Sequence, residues 1–184
     1  MDVIELETQR LLLRQWQTHD LVPFARMTSD PLVMRYFPSI LSQPESDALA
    51  AKAKGLIAEK GWGFWAVELK STHEFIGFVG LHYQEDTIPN TPFIEVGWRL
   101  DKAFWGKGFA PEAANAALNF AFETLEQTEV YAFTTLTNQP SQRVMEKLGM
   151  VNQAQNFSHP KLASTHSLAP HCLYKITRQQ WLGK

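Results

Sequence analysis

The stretch of sequence that decides the fold is FIEVGWRLDKAFWGKGFAPE, residues 93–112. Its first part, Phe93–Leu100, is rich in β-branched and aromatic side chains, which predicts a strand. A turn of small residues follows at Trp105–Ala110, and Pro111 with Glu112 is typical of the first turn of a helix. The stretch therefore predicts a strand that leads through a glycine-rich turn into a helix N-terminus.

The glycine-rich turn is typical of an anion-binding site. Glycine lets backbone N–H groups approach an anion closely, and the N-terminus of the next helix adds positive partial charge. A Walker A loop does not fit, because Asp101 stands where that motif has its first glycine and Gly108 where it has Ser or Thr. A dinucleotide fingerprint fits poorly, because Pro111 replaces its third glycine. A turn that only caps the helix is the alternative.

The residues before this stretch predict helices and further strands. A capping box at Ser42–Glu45 with Pro44 in the first turn predicts a helix to about Glu59, and Thr18 is suited to cap an earlier helix. Short connections between three consecutive strands indicate an antiparallel meander. The predicted strands up to residue 100 are Thr8–Trp16, Phe64–Leu69, Phe75–Tyr83 and Phe93–Leu100.

The residues after the turn alternate between helices and strands. Two helices are predicted at about Pro111–Thr124 and at Pro140–Leu148, with Gly149 as an αL cap. The element order implies an α+β fold, a single domain over residues 1–184 with a mixed central sheet and about four helices. The predicted strands in this part are Val130–Leu136, one near Val151–Phe157, and Cys172–Thr177.

Composition excludes several classes of protein. The 184 residues are 45% hydrophobic and 20% charged with a net charge of −2, which excludes wholesale disorder and a dedicated nucleic-acid binder. No apolar run approaches the roughly 20 residues that span a bilayer, so no membrane association is expected. The first residues lack the features of a signal peptide, and the single cysteine, Cys172, excludes an intramolecular disulfide. A cytoplasmic location is therefore expected.

A second segment, Val130–Met150, adds a further pattern, Asn138-x-x-Ser141 followed by Lys147-Leu148-Gly149-Met150. Together the two segments resemble the GNAT superfamily of acetyl-CoA-dependent N-acetyltransferases. They look most like the branch with RimJ and RimL, which acetylate the N-termini of ribosomal proteins. The resemblance covers nearly the whole chain, from Thr8-Gln9-Arg10-Leu11 to Leu173-Tyr174. Its most specific parts are Glu95–Trp98, Trp105–Ala113, and Asn138–Ser141 with Lys147–Met150.

The resemblance implies where acetyl-CoA binds. In this family the main-chain N–H groups of the turn hold the pyrophosphate, and a strand of a splayed parallel pair contacts the pantetheine arm through its backbone. Trp105 stands where Gln or Arg is usual. This departure should matter little for binding of the pyrophosphate, because the motif binds through its main-chain N–H groups. The implied acetyl-CoA residues are Val96, Gly97, Trp105, Gly106, Lys107, Gly108, Phe109, Ala110, Asn138 at the pantetheine arm and Ser141 near the sulfur. No metal is implied.

Acetyl transfer to an amine needs a route for the amine protons, a donor at the oxyanion and an acid at the sulfur. Glu95 is the candidate base, because it lies on the opposite strand face from the apolar set and shares that face with Arg99. A structural Glu95, paired with Arg99 or a backbone donor, is the alternative. Ser141 is the candidate general acid, and its alternative role is to satisfy backbone donors in the first turn of a helix.

Three further residues are candidates for contact with the acceptor: His82, Tyr36 and Trp65. For each of them, packing in or near the core is the alternative. His159, His166, His171 and Cys172 lie in one segment, but their spacing fits no standard zinc module, so no metal site is predicted.

These observations predict direct transfer of acetyl from acetyl-CoA to a primary amine in a ternary complex. No acetyl-cysteine is expected, because Cys172 lies in a late strand. An α-amine titrates near 8 and a lysine near 10.4, so a protein N-terminus needs less help from a base than a lysine does. We therefore expect a protein or peptide N-terminus as acceptor. A small-molecule amine or amino acid, and a binding module without turnover, are the alternatives, and a homodimer is an open option.

Overall fold

The structure is a computed structural model that describes residues 2–183, in which nine strands and five α-helices occur. The strands are β1 (Leu6–Glu7), β2 (Leu11–Arg14), β3 (Phe64–Leu69), β4 (Glu74–Gln84), β5 (Phe93–Leu100), β6 (Glu129–Thr135), β7 (Val151–Asn152), β8 (Phe157–Ser158) and β9 (Pro170–Thr177). The helices are α1 (Leu21–Thr28), α2 (Gln43–Lys60), α3 (Phe109–Glu123), α4 (Gln139–Lys147) and α5 (Arg178–Leu182). Two short 3-10 helices occupy Thr18–Asp20 and Lys102–Phe104.

The chain divides into two compact units. The first unit runs through Leu81 and also includes Gly97–Ala117, and the second contains His82–Val96 and the residues from Leu118 onward. Within the first unit β1, β2, β3 and β4 pair in this order, all antiparallel. Leu11 and Leu13 of β2 are fully buried, because alternate residues of a strand point to one face.

The first unit contains an aromatic core. The ring of Trp16 lies 4.9 Å from that of Phe24 and 5.5 Å from that of Phe75. The capping box predicted at the start of α2 is present: the Ser42 N–H donates to Glu45 at 2.7 Å. The helix ends at Gly61, whose φ of 81° is the left-handed conformation that favours glycine.

In the second unit the strand order is β5, β6, β9 and β7, with β8 also paired to β9. The pair β5–β6 is parallel, with Glu95 opposite Tyr131, whereas β6 and β9 are antiparallel over their whole length. A cluster of buried side chains stabilises this arrangement, and the rings of Phe93 and Tyr131 stack with 4.5 Å between their centroids.

The predicted fold class is confirmed: the fold is α+β, with a mixed sheet that contains an antiparallel meander and a parallel pair. The described residues form five α-helices, where about four were expected. Two local predictions were wrong. The single strand near Val151–Phe157 is two short strands, β7 and β8. Thr18 does not cap the helix that begins at Leu21, because Thr18 lies inside the preceding 3-10 helix and Asp20 is the N-cap of α1. The single domain over residues 1–184 stays a prediction. Within residues 2–183 no helix is long and apolar enough to cross a membrane.

An ion-pair network is buried in the first unit. Arg14 is 2% exposed and Asp20 is 0% exposed. The guanidinium donates to both carboxylate oxygens of Asp20, at 2.7 and 2.9 Å, and its Nε donates to Glu68 at 2.7 Å. Removal of one partner from a buried pair leaves the other charge poorly compensated, which is strongly destabilising.

We expect Asp20→Asn to lower the free energy of unfolding by about 3 kcal/mol, because Arg14 then keeps only Glu68 as a counter-charge. Urea unfolding of the purified variant measures this loss. Glu7→Gln is the matched control, because it removes a carboxylate from the exposed pair with Lys70 and little change is expected. Equal effects of the two substitutions would contradict a dominant role for the buried network.

Candidate active site

The glycine-rich turn of the first unit presents exposed backbone amides. Residues 105–108 are exposed, and Gly106 and Gly108 have φ angles of +74° and +80°. In the described part of the chain, the N–H groups of Gly106, Lys107 and Gly108 make no hydrogen bond. A Cβ at Gly106 would meet nothing within 4 Å. The turn therefore leaves room and donors for a ligand with several acceptor oxygens.

Helix α3 begins directly after this turn, at Phe109 rather than at the predicted Pro111. Phe109 and Ala110 occupy its first turn, where backbone N–H groups have no acceptor within the helix. The first intrahelical bond near this end runs from the Glu112 N–H to the Gly108 carbonyl at 3.2 Å. Turn amides and helix N-terminus together fit a diphosphate, the group expected here.

Arg10 holds this turn from the N-terminal part of the first unit. Its Nη1 donates to the Lys107 carbonyl at 3.0 Å, and its Cζ lies 4.4 Å from the ring centroid of Phe109. A trans peptide directs its C=O and N–H to opposite sides. Because the Lys107 carbonyl points to Arg10, the Gly108 N–H points away from Arg10.

Glu112 fixes Arg10 in turn. Its carboxylate accepts from the Arg10 Nε at 2.6 Å, from the Arg10 backbone N–H at 3.0 Å and from the Thr8 hydroxyl at 2.6 Å. Burial raises the pKa of Glu112, but these hydrogen bonds outweigh burial and lower it below its usual range. The sequence showed Thr8 and Arg10 only as part of a resemblance, because a contact across about a hundred residues leaves no local pattern.

Trp105 and Val96 contribute little to a ligand site through their side chains. The Trp105 indole is 43% exposed and donates from Nε1 to the Leu100 carbonyl at 2.8 Å. Val96 is buried, so only its backbone is suited to the predicted contact with a pantetheine arm. Gly97, the next residue of β5, is half-buried.

Glu95 in the second unit is a half-buried carboxyl group on β5. It accepts a hydrogen bond from Gln84 Nε2 at 3.3 Å, so the donor is neither Arg99 nor a backbone group. The Gln84 side chain is itself fixed, because its Oε1 accepts from the Asp86 N–H at 2.9 Å. Burial raises the pKa of Glu95 to about 7, and the hydrogen bond from Gln84 and the charge of Lys161 only partly oppose this. A carboxyl group with this pKa is suited to accept a proton near neutral pH.

Asn138 and Ser141 are brought together at the start of α4. The Asn138 carbonyl oxygen Oδ1 accepts from the Ser141 backbone N–H at 3.3 Å, which makes Asn138 the N-cap. Its Nδ2 donates to Ser141 Oγ at 3.1 Å and to Thr134 Oγ1 at 2.9 Å. Ser141 is therefore not the cap of this helix. Its Oγ accepts a hydrogen bond, which leaves the hydroxyl proton as the donor.

The three candidate acceptor contacts differ in their surroundings. The predicted contact of Trp65 with the acceptor was wrong. Its side chain is 0% exposed and its Nε1 donates to the Ile4 carbonyl at 2.7 Å, so Trp65 is part of the core. Tyr36 is half-buried next to the guanidinium of Arg35, at 4.6 Å from its ring centroid. His82 is half-buried at the end of β4.

The histidine-rich segment of the second unit packs as aromatic rings. His159 and His171 lie 4.9 Å apart, and burial lowers the pKa of both. Among residues 2–183 no group of three or more His, Cys, Asp and Glu side chains is arranged to hold a metal ion. Cys172 is 1% exposed, and burial raises the pKa of its thiol, which disfavours the reactive thiolate.

Comparisons with known proteins agree on one family. Residues 10–151 match the acetyltransferase (GNAT) domain family. The uncharacterized N-acetyltransferase YnaD of Bacillus subtilis is 29% identical over 181 residues, which covers 97% of this chain and 99% of YnaD.

Solved structures show the same fold. A GNAT-family acetyltransferase from Bacillus anthracis has a TM-score of 0.79 at 24% identity, over 96% of this chain and 99% of that one. A ribosomal-protein-S5-alanine acetyltransferase from Vibrio fischeri has a TM-score of 0.69 at 20% identity, over 97% of this chain and 98% of that one. Members of the family use acetyl-CoA. The family match and the similarity to named acetyltransferases show that this chain belongs to the GNAT family and is an acetyltransferase enzyme.

Proposed function

We propose that this enzyme transfers acetyl directly from acetyl-CoA to an α-amine, with Glu95 as the base. The observation that carries the proposal is the half-buried Glu95 carboxyl group, whose pKa burial raises to about 7. Such a base matches an α-amine, which titrates near 8, far better than a lysine near 10.4. Acetyl-CoA supplies the thioester carbonyl that the amine attacks.

The turn at residues 106–110 holds the pyrophosphate of acetyl-CoA in this proposal. The exposed, unbonded amides of Gly106, Lys107 and Gly108 support it, as does the N-terminus of α3. Arg10 acts as a positioning residue, because it orients the peptide between Lys107 and Gly108 without itself facing the ligand. Val96 and Gly97 contact the pantetheine arm through their backbone, and Asn138 contacts it through its amide.

Ser141 donates a proton toward the leaving sulfur. Its hydroxyl oxygen already accepts from Asn138 Nδ2, so the remaining hydroxyl proton is available for donation. The resemblance to RimJ and RimL favours a protein or peptide N-terminus as acceptor. A small amino acid carries the same α-amine and is the second candidate.

The experiment that tests the proposed function is an acetyl-transfer screen with the purified chain and acetyl-CoA. The amines are N-terminal peptides, free amino acids, polyamines and a peptide whose only amine is a lysine side chain. Transfer to α-amines with little transfer to the lysine peptide and polyamines supports the proposal. Preferred transfer to lysine or polyamines contradicts it, and absence of transfer to every amine supports a binding module.

We expect Glu95→Gln to lower kcat roughly 100-fold at pH 7 and much less at pH 9. At pH 7 about half of the Glu95 carboxyl groups are ionised and most α-amines are protonated, so the base is needed, whereas at pH 9 bulk solvent deprotonates the amine. The measurement is a pH–rate profile of both proteins, with circular dichroism as the control for folding. An equal loss at both pH values would assign Glu95 a structural role instead.

We expect Gly108→Asp to weaken coenzyme A binding at least 100-fold, because its carboxylate adds negative charge to the turn and lies within reach of Arg10, the residue that orients it. Gly108→Asn is the matched control, since it has nearly the same size and both residues tolerate a positive φ. A Cβ at this position meets only Arg10 Nη2, at 3.5 Å, so there is room for either side chain. Calorimetry gives both affinities, and the same affinity for the two variants would disprove the assignment of the turn.

We expect Arg10→Met to lower kcat/KM for acetyl-CoA roughly tenfold and to leave kcat/KM for S-acetyl-pantetheine unchanged. S-acetyl-pantetheine lacks the pyrophosphate, so it does not depend on the orientation of the turn. Arg26→Met, which removes an exposed positive charge from α1, controls for net charge. A parallel loss with both thioesters would show that Arg10 supports the fold rather than the pyrophosphate site.

A further inference from the structure

Arg99 on β5 carries a guanidinium that the protein leaves partly unpaired. The residue is half-buried, yet its Nε and Nη1 atoms are buried and have no hydrogen-bond partner among residues 2–183. Burial lowers the pKa of Arg99 to about 10. Buried donors in proteins are nearly always paired, so this arrangement needs a reason.

Two aromatic rings lie beside this guanidinium. Its Cζ is 3.9 Å from the ring centroid of Phe37 and 5.4 Å from that of Phe78. Such rings attract a cation through their faces. They do not satisfy the N–H groups at the edge of the guanidinium, which prefer the two oxygens of a carboxylate.

Asp101, two residues after Arg99, and Asp30, the partner of Lys102, are both bound by other groups. Asp101 accepts from the Ala103 N–H at 2.9 Å. Asp30 pairs with Lys102 at 2.5 Å. The backbone of Arg99 is fixed as well, because a Cβ at Gly77 would lie 2.2 Å from the Arg99 carbonyl oxygen. Within residues 2–183, the guanidinium of Arg99 forms no ion pair with a carboxylate.

Phe37 lies in the segment between α1 and α2, next to Tyr36, which the sequence marks as a candidate acceptor contact. The Phe37 side chain is 36% exposed, so the ring that lies over the Arg99 guanidinium is in contact with solvent. In the proposed function, the pyrophosphate of acetyl-CoA has its own donors in the turn at residues 106–108. An anion on the acceptor has no donor assigned to it in the proposed function, and the guanidinium of Arg99 offers one.

We propose that Arg99 binds a carboxylate of the acetyl acceptor, with Phe37 and Phe78 as flanking rings. This inference rests on the proposed function and narrows its substrate class to α-amines that carry a carboxylate. The carboxylate belongs either to a free amino acid or to an acidic residue near a peptide N-terminus. Both offer the same two oxygens to the guanidinium.

The experiment compares matched amines on the full chain. Each pair differs only in the carboxylate: an amino acid against its amide, and a C-terminally amidated peptide with Asp at its second position against the same peptide with Asn. The proteins are the wild type, Arg99→Met, Arg99→Lys and the control Arg26→Met, which removes an exposed charge from α1. The kcat/KM ratio within each pair is the measured quantity.

We expect the wild type and Arg26→Met to share the same kcat/KM ratio in each pair. Arg99→Met should lower this ratio at least tenfold in one pair, through a higher KM for the carboxylated amine. Arg99→Lys should fall between them, because lysine keeps the charge but loses the two-pronged geometry. The pair that responds identifies the source of the carboxylate. A ratio that is unchanged in Arg99→Met, or a loss confined to KM for acetyl-CoA, would overturn the inference.

Calorimetry with the same pairs of amines in the presence of coenzyme A separates the test of Arg99 from the test of the proposed acetyl transfer. If no amine is acetylated, the proposed function fails, and tighter binding of the carboxylated member by the wild type but not by Arg99→Met still supports the role of Arg99. Equal binding of both members by the wild type contradicts it. If Arg99→Met does not fold, Arg99→Lys carries the comparison, and an unchanged ratio in that variant then counts against the inference.

Discussion

The hydrogen bond from Arg10 to the Lys107 carbonyl is the interaction on which the proposed coenzyme site depends. Glycine at residues 106 and 108 permits the positive φ angles of the turn, but glycine alone does not select one orientation of the peptides. Arg10 selects it, and Glu112 holds Arg10 through two hydrogen bonds. The result is a group of exposed amides that are oriented before any ligand arrives, so little ordering is left for the binding step.

Desolvation is the second constraint, and it acts differently on the two titratable groups of β5. At Glu95 burial raises the pKa to about 7, which places the group between its two protonation states near neutral pH. At Arg99 burial lowers the pKa to about 10, yet the side chain stays charged. The raised pKa of Glu95 supports its proposed role as a base, and the charge that Arg99 keeps supports its proposed role in binding an anion.

Much of the fold could be predicted because its signals are local. The capping box at Ser42–Glu45, the strands Phe64–Leu69 and Phe93–Leu100 and the cap at Gly149 each depend on a few consecutive residues. The short strands β7 and β8 lacked such a signal, because two residues define no periodicity.

The sequence marked Glu95 and the turn as candidates through local patterns, and their roles in the site stay predictions. The contacts of the candidate site were not predictable where they are long-range. Gln84, which binds Glu95 from another strand, and Arg10, which binds the turn from near the N-terminus, are ordinary polar residues in the sequence. Trp65 was a candidate contact with the acceptor, and only the structure shows that its side chain is fully buried in β3.

The most direct test of the account is nuclear magnetic resonance of ¹⁵N-labelled protein titrated with coenzyme A and, separately, with pantetheine. If the turn amides donate to the pyrophosphate, the signals of Gly106, Lys107 and Gly108 shift strongly with coenzyme A and stay near their starting positions with pantetheine. Shifts of these three amides that are equal for both ligands, or absent for coenzyme A while other residues respond, would contradict the account.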